Sequence, residues 1–324
     1  MNDGASLVLA AAVLVGLAID RYCGEPPARW HPVVWMGHYL NWIAAYVTPA
    51  GSRAALNPRD IKAFGLGALA WLAGAALVLI AACALQWAFW QLPGVPAAVL
   101  MGLALKPMLA WAMLRCEVQA VEQALGDSLR AGRERLSWLV SRNTVLLNDS
   151  EVRESAIESL AENLNDSVVA PIFWFVLFGL PGAAIYRFAN TADAMWGYRG
   201  MYKGKNWEWA GKWAARADDV LSWLPARLTA LLLALAAGGL PFKTLRLEAR
   251  KTPSPNSGWP MAAMALALGV SLRKPGVYTL NPEGKPPRAA DTAAAQKHAS
   301  KVVLALVLFA PSAIIFIAIA HSFL

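Results

Sequence analysis

Charge is scarce in this chain of 324 residues: Asp, Glu, Lys and Arg make up 15%, against about 25% in an ordinary soluble domain. So few ionisable groups cannot cover the surface of a soluble protein this long, and they exclude a charge-rich disordered chain. Cysteine is sparse too. Cys23, Cys83 and Cys116 stand far apart with no CxxC pair, which excludes a disulfide scaffold, a zinc ribbon and an iron–sulfur cluster. No basic tract is interleaved with aromatics, so nucleic acid is not expected as a partner. The GxxxxGK[ST] phosphate loop, a dinucleotide fingerprint between strand and helix, and HExxH are all missing. Nucleotide use stays open, because arginines, magnesium and helix ends can also hold phosphates.

What the chain has instead is apolar sequence, 57% of it, gathered into long runs. The expected fold class is all-α: a polytopic integral membrane protein with broken or re-entrant helices and cytoplasmic polar loops, forming one membrane-embedded domain over residues 1–324. Spans are expected at Ala5–Ile19, Phe64–Trp90, Ala97–Met113, Pro225–Pro241 and Val302–Ala320. Asp3 precedes the first stretch and no small-residue cleavage site follows it, so a retained helix is expected. Lys106 and Pro107 interrupt the third stretch. Val168–Phe188 is broken by Gly179-Leu180-Pro181-Gly182 and reads either as a kinked span or as a re-entrant hairpin. Gly258–Val270 is short and fits a buried or interfacial helix, and Cys83 is expected to be a small buried side chain.

The net charge of +8 fits loops facing anionic lipid, with a basic substrate pocket as a second contribution. Arg21, Arg29, Arg53, Arg59 and Lys62 outweigh Glu25 and Asp60 after the first helix. Lys243 to Lys297 holds nine basic and three acidic residues, a net of +6. Both loops favour the cytoplasm.

Polar residues that carry chemistry fall into a few segments. In SRNTVLLNDSEVRESAIESLAENLND (141–166), Asp149 or Ser150 is expected to cap a helix on which Glu151, Glu154, Glu158 and Glu162 share one face. Such a face is either solvated or compensated by magnesium, a substrate ammonium, or arginines such as Arg142 and Arg153. Glu158, Glu162 and Asp166 are the members nearest the following apolar segment. NTADAMWGYR (190–199) places Asn190, Asp193 and Arg199 at a span boundary, where they either bind a ligand or only meet headgroups. In WAARADDVLSWLPARLT (213–229), Arg216 precedes Asp218 and Asp219. One aspartate suits magnesium and the other suits Arg227. SPNSGWP (254–260) puts Asn256 and Ser257 in a turn before a helix, either as a plain turn or against a ligand. His31, in GEPPARWHPVVWMG (24–37), either fixes its loop or donates to a substrate. Trp174, Trp196, Trp207, Trp209, Trp213, Trp223 and Trp259 read mostly as interface anchors.

These segments, in this order and over nearly the whole chain, closely resemble the CobD/CbiB family of cobalamin biosynthesis, the adenosylcobinamide-phosphate synthases. The resemblance rests on residues 24–37, 141–174, 190–199, 213–229 and 254–270. The chain departs at Glu25, where members commonly have aspartate, at Asn143, where aspartate is common, and at Ser167, where glycine is common. The resemblance implies a carbon–nitrogen ligase in the inner membrane, its active site facing the cytoplasm. ATP would drive amide formation between adenosylcobyric acid and (R)-1-aminopropan-2-ol O-phosphate, or aminopropanol. ATP and Mg²⁺ are the implied cofactors, and the corrinoid is substrate. Partners are the two substrates, the lipid bilayer and corrinoid-pathway proteins.

Matched to these motifs by their chemistry, Glu158, Glu162, Asp166 and Asp193 are the expected catalytic carboxylates. His31, Arg142, Asn163, Asn190, Arg199, Arg216, Asn256 and Ser257 are the expected binders of substrate or nucleotide. Asp218, Asp219 and Asp166 are the expected metal ligands. The readings outside this class are a membrane transporter and a sensory or accessory protein of related fold.

Overall fold

A computed structural model describes residues 3–48 and 59–322 of the chain; Arg53, counted above in the basic loop, lies outside them. Helices α1 (Asp3–Cys23), α2 (Pro32–Val47), α3 (Ile61–Trp90), α4 (Gly94–Leu105), α5 (Trp111–Asp127) and α6 (Leu129–Leu136) come first. Then follow α7 (Asp149–Leu164), a π-helical turn (Asn165–Val169) and α8 (Ala170–Trp196). A small hairpin, β1 (Met201–Tyr202) and β2 (Lys205–Asn206), leads to α9 (Lys212–Leu221), α10 (Trp223–Ala236), α11 (Phe242–Ala249) and α12 (Gly258–Leu268). A second hairpin, β3 (Leu272–Lys274) and β4 (Tyr278–Leu280), pairs Arg273 with Thr279 before α13 (Ala289–Ser322).

Among the described residues, five helical stretches are long and apolar enough to cross a membrane, or six if α9 and α10 form one broken span. On α3, Leu69, Leu77, Ile80 and Trp87 are all exposed, an apolar surface that water would not tolerate and lipid accepts. The chain is an all-α polytopic membrane protein. Cys83 is exposed on this same helix and not buried as expected, because it shares a face with Leu79 and Ile80.

The chain forms two compact units, Met1–Leu109 with Pro171–Leu221 and Ala310–Leu324, and Ala110–Ala170 with Ser222–Phe309. In the first, glycines allow close helix packing, as small residues do within membranes. A Cβ on Gly102 would press into Val15, and one on Gly74 into Phe188 and Tyr39. At Gly179 the backbone turns to φ 66°, ψ −150°, a region open essentially to glycine alone. The Val168–Phe188 stretch is therefore helical on both sides of a kink. The kink frees the Leu180 amide, which donates to Gln86 Oε1 on α3 at 2.8 Å. That pairing explains a glutamine inside a strongly apolar span. Trp196 and Trp207 stack on each other in the core, 1% and 4% exposed, so these two are not interface anchors.

In the second unit α7 is the central element. Val152, Ala156, Ile157, Leu160 and Leu164 are buried, and so are Glu154 and Glu158. From Glu154 to Ala161 every residue of the helix is buried, which removes the solvated-face reading for those two glutamates. The π turn that follows sends the Ser167 carbonyl to the Ala110 amide at 3.0 Å, and Asn165 Oδ1 accepts from the Thr229 hydroxyl at 3.0 Å. Such turns persist where outside partners satisfy the displaced backbone, often at functional sites. Gly258–Leu268 is a buried helix, as expected from its length.

Candidate functional site

The α7 N-terminus is set by a capping box one residue earlier than expected. Asn148 Oδ1 accepts from the Glu151 amide at 3.0 Å, and Glu151 Oε2 accepts from the Asn148 amide at 2.8 Å. Asn with Glu three residues on is the side-chain pair that satisfies two free amides reciprocally, so Asp149 falls in the first turn instead. The cap fixes the rotation of the helix and so the direction of its carboxylates.

Glu154 is fully buried. It takes a forked pair of hydrogen bonds from Arg273, Nη2 to Oε1 at 2.8 Å and Nε to Oε2 at 3.1 Å, and a third from the Arg273 amide at 2.9 Å. This carboxylate fastens the β3–β4 hairpin to α7. One turn on, Glu158 is 3% exposed and its Oε2 meets Arg142 Nη2 at 2.5 Å. Arg142 thus compensates the acidic face as expected. Arg153 does not; it forks onto Glu122 of α5, with Nη2 to Oε1 at 2.7 Å. Arg273 takes the place expected for Arg153.

Tyr278 of β4 lies beside Glu158. Its burial first, and then the Glu158 and Glu162 carboxylates, push the phenol well above its usual range, so it stays protonated and donates to the Glu158 carboxylate. The hairpin residues Arg273 to Thr279 and Glu151 line a cavity of about 410 Å³. Glu162 and Asp166 are half-buried; Asp166 Oδ1 accepts from Asn165 at 2.7 Å, and Asn163 turns back onto the Ser159 carbonyl at 2.9 Å.

Near the α12 N-terminus, Asn256 is buried and its Oδ1 accepts from Arg227 at 2.9 Å. Arg227 also donates to the Pro255 carbonyl and stacks over Trp223 and Trp259, 4.3 and 5.0 Å from the ring centroids. Carbonyls and rings therefore hold this arginine, where an aspartate was expected. Ser257 precedes α12 without capping it through its side chain, and its amide donates to Ser254 Oγ at 3.2 Å.

The first unit carries the remaining residues. Asn190 bridges Arg187 and Asp218, 3.4 Å from each, and Arg199 is close enough for its charge to act on Asp219. Asp193 is half-buried against Gly197, whereas Arg199 and Arg216 are exposed. His31 caps α2 by accepting the Val33 amide at Nδ1, and its Nε2 lies 3.2 Å from Glu25 Oε2. Of its two expected jobs the geometry provides the first, fixing the loop. Glu25 Oε2 is also 2.6 Å from Lys106 Nζ, which lies 3.3 Å from Asp20 Oδ1. Lys106 and Asp20 are 3% and 1% exposed. Both were missed as site residues, although an ionisable residue within an apolar run is itself a signal. Tyr278 and Arg273 were missed as well and gave none, since 119 residues separate Arg273 from Glu154.

Magnesium, with its preference for oxygen ligands, is the metal these carboxylates would suit. Among the described residues no three His, Cys, Asp or Glu side chains group to hold a metal. Asp218 and Asp219 are neighbours in the first unit, and Asp166 belongs to the second. Two carboxylates fit a magnesium ion carried on nucleotide phosphates, which commonly takes one or two from the protein.

A family model described as CobD/Cbib protein matches residues 13–308. A Thermococcus kodakarensis protein named probable cobalamin biosynthesis protein CobD is 41% identical over 278 residues, covering 86% of this chain and 86% of its own. Its namesake in Methanothermobacter thermautotrophicus is 38% identical over 276 residues, 83% and 86% of the two chains. Cobalamin biosynthesis protein CobD of Brucella suis biovar 1 is 38% identical over 290 residues, 84% and 83%. No solved structure matches the chain. With the match running through the α7 carboxylates, the Asp218–Asp219 pair and the Arg227 turn, the chain belongs to the CobD/CbiB family.

Proposed function

We propose that this protein acts in cobalamin biosynthesis as an ATP-dependent ligase of the inner membrane, its active site facing the cytoplasm. It joins a propionate of adenosylcobyric acid to (R)-1-aminopropan-2-ol O-phosphate, or to aminopropanol, as an amide. The observation that carries this reading is the buried Glu158–Arg142 pair beside Tyr278, set within motifs matched to the family over residues 13–308.

A carboxylate is a poor electrophile, so it must be activated before an amine can attack. In this mechanism a propionate oxygen attacks the terminal phosphorus of ATP and ADP departs. The amine nitrogen then attacks the acyl carbon, and phosphate leaves with the original carboxylate oxygen. Asp218 and Asp219 would hold magnesium, which when bound would offset the phosphates' negative charge. Arg199 and Arg216 bind phosphate oxygens, Asn190 keeps Asp218 oriented, and Asp193 is the catalytic carboxylate of the first unit. Glu158, Glu162 and Asp166 are the carboxylates that take the protons the amine gives up, while Asn163 and Ser257 orient polar groups of the organic substrates. Asn256 and His31 act as positioning residues, through Arg227 and the Glu25 loop.

The test is ligation by the detergent-purified chain with adenosylcobyric acid labelled with oxygen-18 in the carboxylate. The reading predicts an ATP-dependent product of condensed mass, with one label in inorganic phosphate. Label in AMP replaces the acyl phosphate by an adenylate. A corrinoid bound but never condensed refutes the ligase reading.

A further inference from the structure

Within the second unit, Arg227 is the only charged residue of α10 and lies in its second turn. Among the described residues it joins no ion pair. Its acceptors are all neutral. Nη1 donates to the Trp223 carbonyl at 2.6 Å and to Asn256 Oδ1 at 2.9 Å, and Nη2 donates to the Pro255 carbonyl at 3.2 Å. Such dipoles hold a guanidinium in place without cancelling its charge. Of its five N–H groups, Nη1 spends both of its own, and the adjacent residues Pro255 and Asn256 occupy the end of the fork. What remains is Nε–H and the outer Nη2–H, the parallel pair that grips two oxygens of one carboxylate or phosphate. Trp223 and Trp259, stacked on the guanidinium, fix its plane.

The rim beside this edge is apolar. Trp223, Leu224 and Phe242 are each more than half exposed, and the Phe242 ring centroid lies 6.4 Å from that of Trp259. Nucleotide phosphates carry several negative charges, which one guanidinium does not match. A single-charge oxyanion on a broad, partly apolar body fits both the edge and the rim. We propose that Arg227 grips the corrinoid by its reacting propionate and so separates the substrate acid from the product amide. The proposal rests on the ligation reading above. Once the propionate becomes an amide, its charge and its second oxygen are gone, so the grip is released as the bond is made. The phosphodiester of an anionic phospholipid offers the same charge and the same pair of oxygens, and the test separates the two sources.

Binding to the full-length chain in detergent, without ATP or amine, is measured for two probes: adenosylcobyric acid, and the same corrinoid with that propionate converted to its primary amide. The acid should bind at least about tenfold more tightly, the worth of one charge-assisted hydrogen bond. Arg227→Gln should bring the acid down to the level of the amide and leave the amide unchanged. Arg227→Lys, which keeps the charge but not the two-pronged edge, should lose most of the preference, and it carries the test should Arg227→Gln not fold. Native mass spectrometry with added phosphatidylglycerol forms the second arm, in which wild type and variants should retain the same number of lipids.

Equal wild-type affinity for acid and amide, or an unchanged ratio in the folded variants, overturns the proposal. A parallel loss of both corrinoids does so too, since it reports packing and not recognition of charge. One phosphatidylglycerol held by the wild type and lost from the variants, with the acid-to-amide ratio unmoved, gives the edge to a lipid headgroup and overturns it as well. Wild-type ligation is assayed alongside. Product formed while the variants keep the wild-type ratio removes Arg227 from the site and leaves the reaction standing; the predicted ratio without product does the reverse.

Discussion

Truncating Arg273 and truncating Glu154 delete the same ion pair but leave different remnants. In Arg273→Ala the Glu154 carboxylate stays fully buried, with the main-chain amide of residue 273 at 2.9 Å and the Ser150 hydroxyl at 3.4 Å as its remaining donors. Stranding one partner of a buried pair costs about 3–5 kcal/mol. The surviving amide sets the expectation at the lower end, about 3 kcal/mol. In Glu154→Ala the orphan is Arg273, whose side chain is 44% exposed and rehydrates in place. The loss is then that of hydrogen bonds to a charged group, about 1.5 kcal/mol.

Because this pair fastens the β3–β4 hairpin to α7, the readout is amide hydrogen exchange over residues 270–281 in detergent, which reports local opening. Arg273→Ala should speed exchange by about a hundredfold and Glu154→Ala by about tenfold. Replacing both with Glu154→Leu and Arg273→Met should fall below the Arg273→Ala effect, since no charge is then stranded. Equal acceleration by the two single variants, or a larger effect from Glu154→Ala, refutes the reasoning.

Lys106→Met removes the buried cation shared by Glu25 and Asp20 in the first unit and should cost about 3 kcal/mol, read as a lower melting temperature in detergent. Adding Asp20→Asn and Glu25→Gln should recover much of it. Gly179→Ala forces a side chain into φ 66°, ψ −150° and against Gln86. It should lower thermal stability by about 1–3 kcal/mol, and Gln86→Ala should not rescue it, because the backbone strain remains. The raised Tyr278 phenol favours the neutral form in the folded state. Its contribution is intact below the ordinary phenol value of about 10 and is lost as pH rises beyond it. Melting curves between neutral and strongly alkaline pH should therefore fall more steeply for the wild type than for Tyr278→Phe.

By itself the sequence determined the membrane, the helices and the family. Long apolar runs with little charge have one stable environment, and they place α3 to within three residues, whereas α13 begins at Ala289, thirteen residues before the expected span, because its first turns are polar. The Glu151–Glu162 spacing was enough to put the carboxylates on one helix face, because helical periodicity is local. Partners were not local, and tertiary structure decided them. Arg142 and Arg153 stand near the same glutamates in sequence, yet only Arg142 reaches Glu158, and Arg153 turns to α5. Glu154 found Arg273, and Glu158 gained Tyr278, from a hairpin more than a hundred residues away. The same distinction separates Lys106 as an interruption of a span from Lys106 as the buried centre of three charges. Which atoms of an ion pair close on each other and which stay open depends on rotamers fixed by packing around α7. No periodicity in the chain encodes that.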